Sequence, residues 1–242
     1  MVHEIHLELV DSTNTYAQKH CGAFPKNQIT CVTAEEQSAG RGRYQRRWIS
    51  PRGVNLYATF YFSLPLHTAH LISLSQVMAH SLAQLLIAEG FDPKIKWPND
   101  IQLNGKKVSG ILTETQFGKE SIDLFIGVGL NVNLDAAAAK KIDQPATSLF
   151  IETGKQWDKT ALLHKLGMRF SLDLELFKQS GFSPFLKAFD RLLALKGDLI
   201  RVYDGNQEWV GVCHSINNEG QLNLLLSNGA LHPIFTGDIL PT

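Results

Sequence analysis

The sequence predicts an α+β protein in which helices and strands alternate to about residue 193 and a small all-β unit of about fifty residues follows. Two observations predict this division. Over the first part, segments with the 3.6-residue periodicity of helices take turns with segments of strand-like alternation. After Lys196-Gly197 the chain has short strand-like segments separated by turns rich in Gly, Asn and Asp. A chain of 242 residues is long enough for one full core and a small second domain.

The first part begins with strands and helices. Asp11, Ser12 and Thr13 provide side chains that can cap a short helix over the residues that follow. An amphipathic helix is predicted at 69–88, where leucine, valine and methionine recur at three- and four-residue steps. Three segments have the alternating, β-branched or aromatic composition of strands: residues 4–10, 29–37 and 55–64.

A hairpin, a buried strand and two helices complete the first part. Residues 101–114 have strand character on both sides of Asn104-Gly105, a dipeptide that tolerates the positive φ of a tight turn. Residues 122–133 form a predicted buried strand that ends in paired glycines, and a surface connection follows it. Helical periodicity returns twice, at 158–178 and around 182–193. The all-β unit is predicted from four segments: DLIRVY, QEWVGVCHSI, QLNLLLS and ALHPIF.

The composition excludes several classes of protein. Lys and Arg number 23, as do Asp and Glu, so the chain lacks the broad positive field of a protein that lives on nucleic acid. Its three widely separated cysteines make neither a disulfide framework nor a close zinc site. The N-terminus has no signal-peptide core, and no later apolar run reaches the roughly 18 residues of a membrane span. We therefore expect a cytoplasmic protein that binds neither DNA nor membranes.

The stretch GRGRYQRRW, residues 40–48, concentrates positive charge on a flexible backbone. Gly40 and Gly42 allow backbone N–H groups to come close to a ligand. Four side chains carry forked donors that suit phosphate or carboxylate groups: Arg41, Arg43, Arg46 and Arg47. Taken alone, a solvated loop or an RNA-binding Arg-Gly tract explains the stretch about equally well.

Two further clusters place polar side chains beside predicted strands. In KWPND (96–100), the proline ends the strand, and Asn99 and Asp100 could contact a nucleotide or hold Mg²⁺ through Asp100. An ordinary Asx turn is the alternative. In the hairpin, strand alternation sends Lys106 and Lys107 to opposite faces, so one of them is expected to point inward as a charge for an anion. Two surface lysines are the alternative there.

The stretch GVGLNVN, residues 127–133, matches a dinucleotide fingerprint only in part. Val132 stands where that motif requires its third glycine, which excludes a Rossmann site, and the glycines instead indicate close approach of a ligand or another backbone. The chain also lacks the phosphate-loop, HExxH, GxSxG and protein-kinase motifs. Positioned positive charge without a protein nucleophile suits acyl-adenylate formation, in which a carboxylate attacks the α-phosphorus of ATP.

Taken together, these clusters resemble successive sequence blocks of the biotin–protein ligases, also called biotin–[carboxylase] ligases. The resemblance spans residues 11–133 and is weaker through the later helices and the all-β unit. Its most specific part is KWPND followed within ten residues by GKKVSGI. The other blocks are DSTN (11–14), EEQSAGRGR (35–43), Trp48 with SP (50–51), NLY (55–57) and GVGLNVN.

The resemblance implies a fold and a two-step reaction. Residues 1–193 would form a catalytic domain with a mixed β-sheet flanked by helices, akin to class II aminoacyl-tRNA synthetases, and residues 194–242 an SH3-like barrel. Biotin and ATP, with Mg²⁺, would give biotinyl-5′-adenylate and pyrophosphate. A lysine of the biotin carboxyl carrier domain of a carboxylase would then take the biotin and release AMP. The resemblance implies no tightly bound metal, and it leaves monomer or homodimer open.

The resemblance also implies a role for each site residue by its position. Lys107, Arg43 and Arg41 would be catalytic, because they would stabilise the charge on the reacting carboxylate and phosphate. Biotin would be bound by a first set: Ser12, Thr13, Asn14, Gln37, Gly40, Arg41, Gly42, Arg43, Lys107, Gly110, Gly127 and Gly129. ATP would be bound by a second set, with Mg²⁺ near its acidic member: Arg46, Trp48, Asn55, Asn99, Asp100, Lys107 and Asn131.

Two departures from the family and two rival functions bear on this assignment. Gln45 stands where many members have glycine, and its Cβ restricts positive φ in the loop. DSTN begins at residue 11, which leaves no space for the helix-turn-helix domain of some relatives, so we expect no operator binding.

One rival is a lipoate ligase or octanoyltransferase of the same superfamily, although KWPND and the arginine loop favour biotin. The other is a nucleic-acid-binding module, which the neutral net charge disfavours.

We predict that Gln45→Gly makes the ligand-free loop more pliable, because glycine removes the steric limit on φ. Limited proteolysis should then cut the loop faster, and the adenylate should be released sooner. Unchanged adenylate release together with unchanged loop protection would contradict this role for Gln45.

Overall fold

The structure is a computed structural model that describes residues 2–68 and 71–240. Seven strands form its larger sheet: β1 (His3–Val10), β2 (Thr30–Gln37), β3 (Leu56–Pro65), β4 (Lys94–Lys96), β5 (Asp100–Leu103), β6 (Lys106–Phe117) and β7 (Ser121–Leu130). Their order across the sheet is β1-β2-β3-β7-β6-β5-β4. β1 and β2 are parallel, whereas every other neighbouring pair is antiparallel, so the sheet is mixed.

Helices cover both faces of this sheet. They are α1 (Thr13–His20), α2 (Leu74–Ala88), α3 (Ala136–Ala139), α4 (Leu149–Thr153), α5 (Lys159–Ser180) and α6 (Leu186–Leu192). On one face, Ala17 of α1 packs in a small cluster with Val32, Tyr61 and Phe125. On the other face, α2 and α5 contribute to the main hydrophobic core, where Phe170 is fully buried. The predicted α+β class, with a mixed sheet flanked by helices, is confirmed.

Most predicted elements are confirmed with small shifts in their bounds. Asn104 (φ 49°) and Gly105 (φ 74°) form the predicted tight turn between β5 and β6. The helix predicted at 69–88 begins later, at Leu74, after a 3₁₀ turn at Leu71–Ser73, and residues 69 and 70 lie outside the described ranges. α3 lies in the segment predicted as a surface connection, and α4 was not predicted from the sequence.

Five antiparallel strands form the second sheet: β8 (Leu199–Tyr203), β9 (Glu208–Ile216), β10 (Leu222–Leu225), β11 (Leu231–Ile234) and β12 (Asp238–Ile239). This unit agrees with the expected SH3-like barrel. The Gly220 carbonyl joins it to the first part, because it accepts hydrogen bonds from Gln76 Nε2 of α2 (2.7 Å) and Trp97 Nε1 (3.0 Å). Side chains of both sheets share one apolar core. The division into domains at 193/194 stays a prediction.

One helical stretch among the described residues, Leu71–Ala88, is long and apolar enough to cross a membrane by length and composition, with a mean hydropathy of 1.5. We expected no apolar run as long as a membrane span, and the length and composition of this stretch contradict that expectation. It is 67% buried inside the protein, and its leucines belong to the main core. Packing between the sheet and α5 accounts for its apolar residues.

A buried polar cluster joins α2 to α5. Asp173 Oδ2 lies 3.1 Å from His80 Nδ1 and accepts hydrogen bonds from Ser81 Oγ (2.7 Å) and Arg169 Nε (3.1 Å). Burial by itself would raise the pKa of the Asp173 carboxyl, but the hydrogen bonds from these three side chains outweigh burial and lower that pKa. Folding therefore stabilises the ionised form of Asp173.

We predict that the contribution of Asp173 to stability is lost in acid. A carboxyl whose pKa is lower in the folded state stabilises the fold fully above its unfolded pKa, about 3.9, and loses this effect as the pH falls through the folded pKa. Asp173→Asn should therefore lower the free energy of unfolding by about 2 kcal/mol at pH 7 and by less below pH 4.

Urea unfolding of wild type and variant at both pH values measures this difference. Glu175→Gln is the matched control, because Glu175 is exposed on the same helix and forms an exposed ion pair with Lys178 three residues away. A loss of equal size at pH 7 and pH 3 in Asp173→Asn would contradict the linkage.

Candidate functional site

A row of glycines forms the floor of a depression on the α1 face of the seven-stranded sheet. Gly129 of β7 pairs with Gly110 of β6 on one side and with Tyr57 of β3 on the other. Two residues earlier on β7, Gly127 pairs with Thr59 of β3. Because these glycines have no Cβ, side chains from other elements can reach the backbone of the sheet.

Two side chains fill the space directly above the glycines. The indole of Trp48 lies over Gly129, where a Cβ would come 2.3 Å from Trp48 Cε2, and over Gly110, where a Cβ would come 3.1 Å from Cζ3. The amide of Asn14 lies over Gly127, where a Cβ would come 2.6 Å from Asn14 Oδ1. Real Cβ atoms essentially never show contacts under 3.0 Å, so positions 127 and 129 require glycine in this arrangement.

Two aromatic side chains at this floor are affected by burial: the ionisation of Tyr57 and the hydrogen bonding of the Trp48 indole. Burial raises the pKa of the Tyr57 phenol well above its usual range, and the Tyr57 hydroxyl donates to the Pro51 carbonyl at 2.9 Å. Tyr57 is therefore neutral and fixed. Trp48 Nε1 is buried without a hydrogen-bond partner in the described part of the chain, which leaves one donor available inside the depression.

The start of α1 is held by a network of hydrogen bonds. Ser12 is the N-cap residue, but its side chain makes no capping hydrogen bond, which differs from the prediction. The Thr13 N–H donates instead to Gln37 Oε1 of β2, at 2.9 Å. Thr59 Oγ1 lies 2.6 Å from Asn14 Oδ1 and 2.8 Å from Thr13 Oγ1. These buried contacts orient amide and hydroxyl groups along one wall of the depression.

The arginine loop folds back on itself as a short hairpin over the depression. The Trp48 N–H donates to the Gly40 carbonyl at 2.9 Å, and the Gly42 N–H donates to the Arg46 carbonyl at 2.7 Å. A Cβ on Gly40 would lie 2.6 Å from the Trp48 carbonyl oxygen, so glycine is needed where the two arms of the hairpin meet.

The tip of this hairpin contains the left-handed backbone conformation of the loop. Tyr44 has φ 52° and ψ 38° within a 3₁₀ turn. The strained residue is therefore Tyr44, the neighbour of Gln45. The side chain of Gln45 lies outside the described residues, and its effect on the loop stays a prediction.

Each cation expected to be catalytic lies beside a carboxylate. The pairs are Lys107 with Asp100 (2.8 Å), Arg41 with Glu114 (2.8 Å) and Arg43 with Asp238 (3.1 Å). The Lys107 side chain is only 16% exposed, whereas Lys106 is exposed on the opposite face, as strand alternation predicts. The carboxylates hold the cations in defined positions at the depression.

All but three of the predicted site residues line one pocket above the glycine floor. They are Ser12, Thr13, Asn14, Gln37, Arg41, Gly42, Arg43, Arg46, Trp48, Asn99, Asp100, Lys107, Gly110, Gly127 and Gly129. Segments that are distant in sequence, from residue 12 to residue 129, therefore meet at one place on the sheet.

The structure does not place Gly40, Asn55 or Asn131 in the lining of this pocket. Gly40 lies at the base of the hairpin. Asn55 and Asn131 are buried at the ends of β3 and β7, where Asn55 Nδ2 donates to Asn131 Oδ1 at 3.3 Å. Asn55 Oδ1 also accepts from the Val132 N–H (3.0 Å), and Asn131 Nδ2 donates to the Thr147 carbonyl (3.0 Å). These two amides bind backbone segments at the ends of β3 and β7, and their contact with ATP stays a prediction.

Three polar residues at the site were not predicted from the sequence. Glu114 lies four residues after Gly110 on β6, so period-two alternation places it on the same face and could have identified it. Gln144 lines the pocket from the connection before α4, and Asp238 lines it from the start of β12. Neither stands in a recognisable motif.

Known proteins with similar sequences and structures were compared with this chain. The Biotin/lipoate A/B protein ligase family matches residues 6–131. The bifunctional ligase/repressor BirA of Salmonella typhimurium is 36% identical over 236 residues, covering 96% of this chain and 72% of the relative. The biotin–[acetyl-CoA-carboxylase] ligase of Paracoccus denitrificans is 32% identical over 225 residues, covering 90% and 92%. The solved biotin protein ligase from Aquifex aeolicus in complex with biotin and ATP has a TM-score of 0.84 at 29% identity, covering 98% of this chain and 97% of that chain.

We predict that Gly129→Ala displaces Trp48, because the added Cβ would lie 2.3 Å from the indole. The free energy of unfolding should fall by about 1–3 kcal/mol, as is typical when a packed site is overfilled. Urea unfolding measures this loss, and near-UV circular dichroism reports the environment of the indole.

Gly22→Ala is the matched control, because no atom lies within 4 Å of a Cβ at that position. A Gly129→Ala/Trp48→Ala double variant should recover part of the stability if the collision is the cause. Wild-type stability and an unchanged spectrum in Gly129→Ala would show that the indole does not pack there.

Proposed function

The chain belongs to the biotin/lipoate A/B protein ligase family, and we propose that it is a biotin–protein ligase. It activates biotin with ATP to biotinyl-5′-adenylate and then transfers the biotin to a lysine of a biotin carboxyl carrier domain. The observation that carries this proposal is the pocket, in which Lys107 and the loop arginines face oriented amides and hydroxyls above the glycine floor. Relatives named for ligation match nearly the whole chain.

In the activation step, a carboxylate oxygen of biotin forms a bond to the α-phosphorus of ATP. The bond from that phosphorus to the pyrophosphate oxygen breaks, and negative charge grows on the phosphoryl and pyrophosphate oxygens. Lys107, Arg41 and Arg43 supply donors already fixed near these atoms, which stabilises the charge without reorganisation. The biotin carboxylate is itself the nucleophile, so the reaction requires no nucleophilic side chain.

The network at the start of α1 is suited to the ureido ring of biotin, which has two N–H donors and one carbonyl acceptor. Thr13, Asn14 and Gln37 present hydroxyl and amide groups that can pair with both kinds of atom. Ser12 lies beside them in the pocket lining. Leu112 lies two residues after Gly110 on β6, so its side chain is on the same face and suits the aliphatic parts of biotin.

The opposite side of the pocket is proposed to hold the nucleotide. Trp48 offers an aromatic face and an unpaired indole N–H, and Asn99 and Asp100 line the wall beside it. Arg46 is exposed at the mouth, where it can reach phosphates. Asn55 and Asn131 are assigned a supporting role, because their amides are already bonded to each other and to backbone groups.

Mg²⁺ is proposed to enter as the complex with ATP. Among the described residues, no group of three or more His, Cys, Asp and Glu side chains is placed to hold a metal ion. Asp100 in the pocket fits a magnesium ion that takes most of its ligands from phosphates and water, because Mg²⁺ is commonly held by one or two carboxylates together with phosphate oxygens.

Movement of the loop is proposed to admit the substrates. The pocket has a volume of about 100 Å³, which is far below the several hundred Å³ typical of a site for a molecule of this size. The Trp48 indole lies directly over the glycine floor of this pocket. Opening and closing of the loop would admit biotin and ATP and then exclude water from the mixed anhydride, which protects it from hydrolysis.

In the transfer step, the uncharged amine of the carrier lysine attacks the carbonyl carbon of biotinyl-5′-adenylate. The bond from that carbon to the phosphate oxygen breaks, AMP leaves, and the amine loses a proton to solvent. The products are a biotinyl amide on the carrier and AMP.

The function is tested by incubating the protein with biotin, Mg-ATP and a biotin carboxyl carrier domain, and measuring the mass of the carrier. The carrier should gain one biotin. In parallel, exchange of label between pyrophosphate and ATP should depend on biotin. Exchange that depends on lipoate instead would assign the chain to the other branch of its family.

We predict that Lys107→Ala lowers the rate of biotin-dependent pyrophosphate exchange by about a hundred- to a thousandfold, the effect typical of losing one preorganised donor. Lys106→Ala is the matched control, because that lysine is exposed on the other face of the same strand. A rate within a few-fold of wild type in Lys107→Ala would show that this role is misassigned.

A further inference from the structure

The C-terminal unit contacts the arginine loop through Asp238. Asp238 Oδ1 lies 3.1 Å from Arg43 Nη1, and Asp238 Oδ2 lies 2.6 Å from Arg46 Nη2. One carboxylate therefore bonds two guanidinium groups that the proposed reaction uses. Neither the local sequence nor the family blocks, which end at residue 133, point to this residue.

Asp238 is held on a rigid element. It begins β12, where it pairs with Tyr203 of β8, and the next residue, Ile239, belongs to the main core. On the preceding side, Gly237 packs so closely that a Cβ there would lie 2.6 Å from the Tyr203 carbonyl oxygen. The position of the Asp238 carboxylate is set by the core and by strand pairing.

The two arginines are held to different degrees. Arg43 has a side chain only 21% exposed, and besides Asp238 it donates to the Gly237 carbonyl (3.1 Å) and to Thr236 Oγ1 (3.3 Å). The Arg46 side chain is 69% exposed and is bound through the Asp238 carboxylate. Arg43 is thus anchored to residues 236–238, whereas Arg46 can turn toward a ligand at low cost.

We propose that Asp238 is a positioning residue for adenylation, which holds Arg43 and Arg46 side by side at the mouth of the pocket before ATP binds. Without the carboxylate, the two guanidinium groups would repel each other, and the loop would lose its ion pairs with the C-terminal unit and keep only the hydrogen bonds of Arg43 to Gly237 and Thr236. When ATP binds, Arg43 stays with residues 236–238 and Arg46 turns to the phosphates. This inference rests on the proposed function.

If Asp238 competed with ATP instead of positioning the arginines, its removal would change ATP binding in the opposite direction. If the Asp238 carboxylate competed with the phosphates of ATP for the two arginines, its removal would tighten ATP binding. If it positions them, its removal weakens ATP binding. The direction of the change in KM for ATP therefore separates positioning from competition.

The kinetic test compares Asp238→Asn with wild type in biotin-dependent pyrophosphate exchange. We expect KM for ATP to rise about tenfold, the effect of losing one charge-assisted hydrogen bond, with kcat changed less than threefold. Asp238→Glu restores the charge and should recover most of the affinity for ATP. Glu208→Gln is the matched control, because it removes an acidic charge from the same unit at an exposed pair with Arg201. An unchanged or lower KM for ATP in Asp238→Asn would overturn the proposal.

A second measurement needs neither biotin nor ATP. Trypsin cuts after arginine, so mass spectrometry of short digests follows cleavage after the loop residues Arg41, Arg43, Arg46 and Arg47. Without ligands, Asp238→Asn should be cut there about tenfold faster than wild type or Glu208→Gln, with cleavage elsewhere unchanged. Equal rates of loop cleavage in all three proteins would overturn the proposed tether.

The two measurements keep this inference separate from the proposed function. If wild type shows no biotin-dependent exchange, the proposed function fails, whereas the digest still tests whether Asp238 holds the loop. If wild type is active and Asp238→Asn changes neither KM for ATP nor loop cleavage, the inference fails alone. Asp238→Glu provides the comparison if Asp238→Asn lowers the melting temperature, because a carboxylate displaced by one methylene should still give intermediate loop cleavage.

Discussion

The absence of Cβ atoms at Gly110, Gly127 and Gly129 is the constraint on which the whole site depends. It lets the Asn14 amide and the Trp48 indole lie directly on the backbone of β6 and β7. Trp48 in turn closes the base of the arginine hairpin, so the path of the loop is set by the floor beneath it. The glycines belong to central, fully paired strands, where a side chain would otherwise be expected to strengthen packing. The sheet therefore lacks packing side chains at these three positions, and the Asn14 and Trp48 side chains can contact its backbone there.

The proposed site concentrates positive charge in a protein with no net charge. Each cation proposed to be catalytic is paired with a carboxylate from a different strand: Asp100 of β5, Glu114 of β6 and Asp238 of β12. Such pairs cost side-chain entropy and gain modest Coulomb energy where water is near, so their main effect is to limit the positions of long side chains. A cation that is already oriented loses less entropy when an anion arrives. In the proposed function, these three ion pairs therefore order the loop and also prepare the cations for the substrates.

Much of the fold and of the site follows from local sequence patterns. Turn chemistry predicted the bend at Asn104-Gly105, and strand alternation separated Lys106 from Lys107. The patterns fail where long-range packing decides. Asn55 and Asn131 stand at strand ends in the expected blocks, but the sequence does not reveal that each amide would be needed by buried backbone groups. The Asp238 contact joins residues 195 positions apart and depends on how two sheets dock, which has no periodic signature.

The hydrogen bonds of the Gly220 carbonyl limit which other sheet could replace the five-stranded sheet of this chain. It is the shared acceptor for the Trp97 indole and the Gln76 amide, and Gly220 lies so close to Gln76 that a Cβ would come 2.1 Å from Gln76 Oε1. A chimaera that exchanged the five-stranded sheet would have to supply a carbonyl and a glycine at the same point. Otherwise two buried donors would be left unpaired, each costing about 1–3 kcal/mol, next to the segment that carries Asn99 and Asp100. The two sheets are therefore expected to be inherited together.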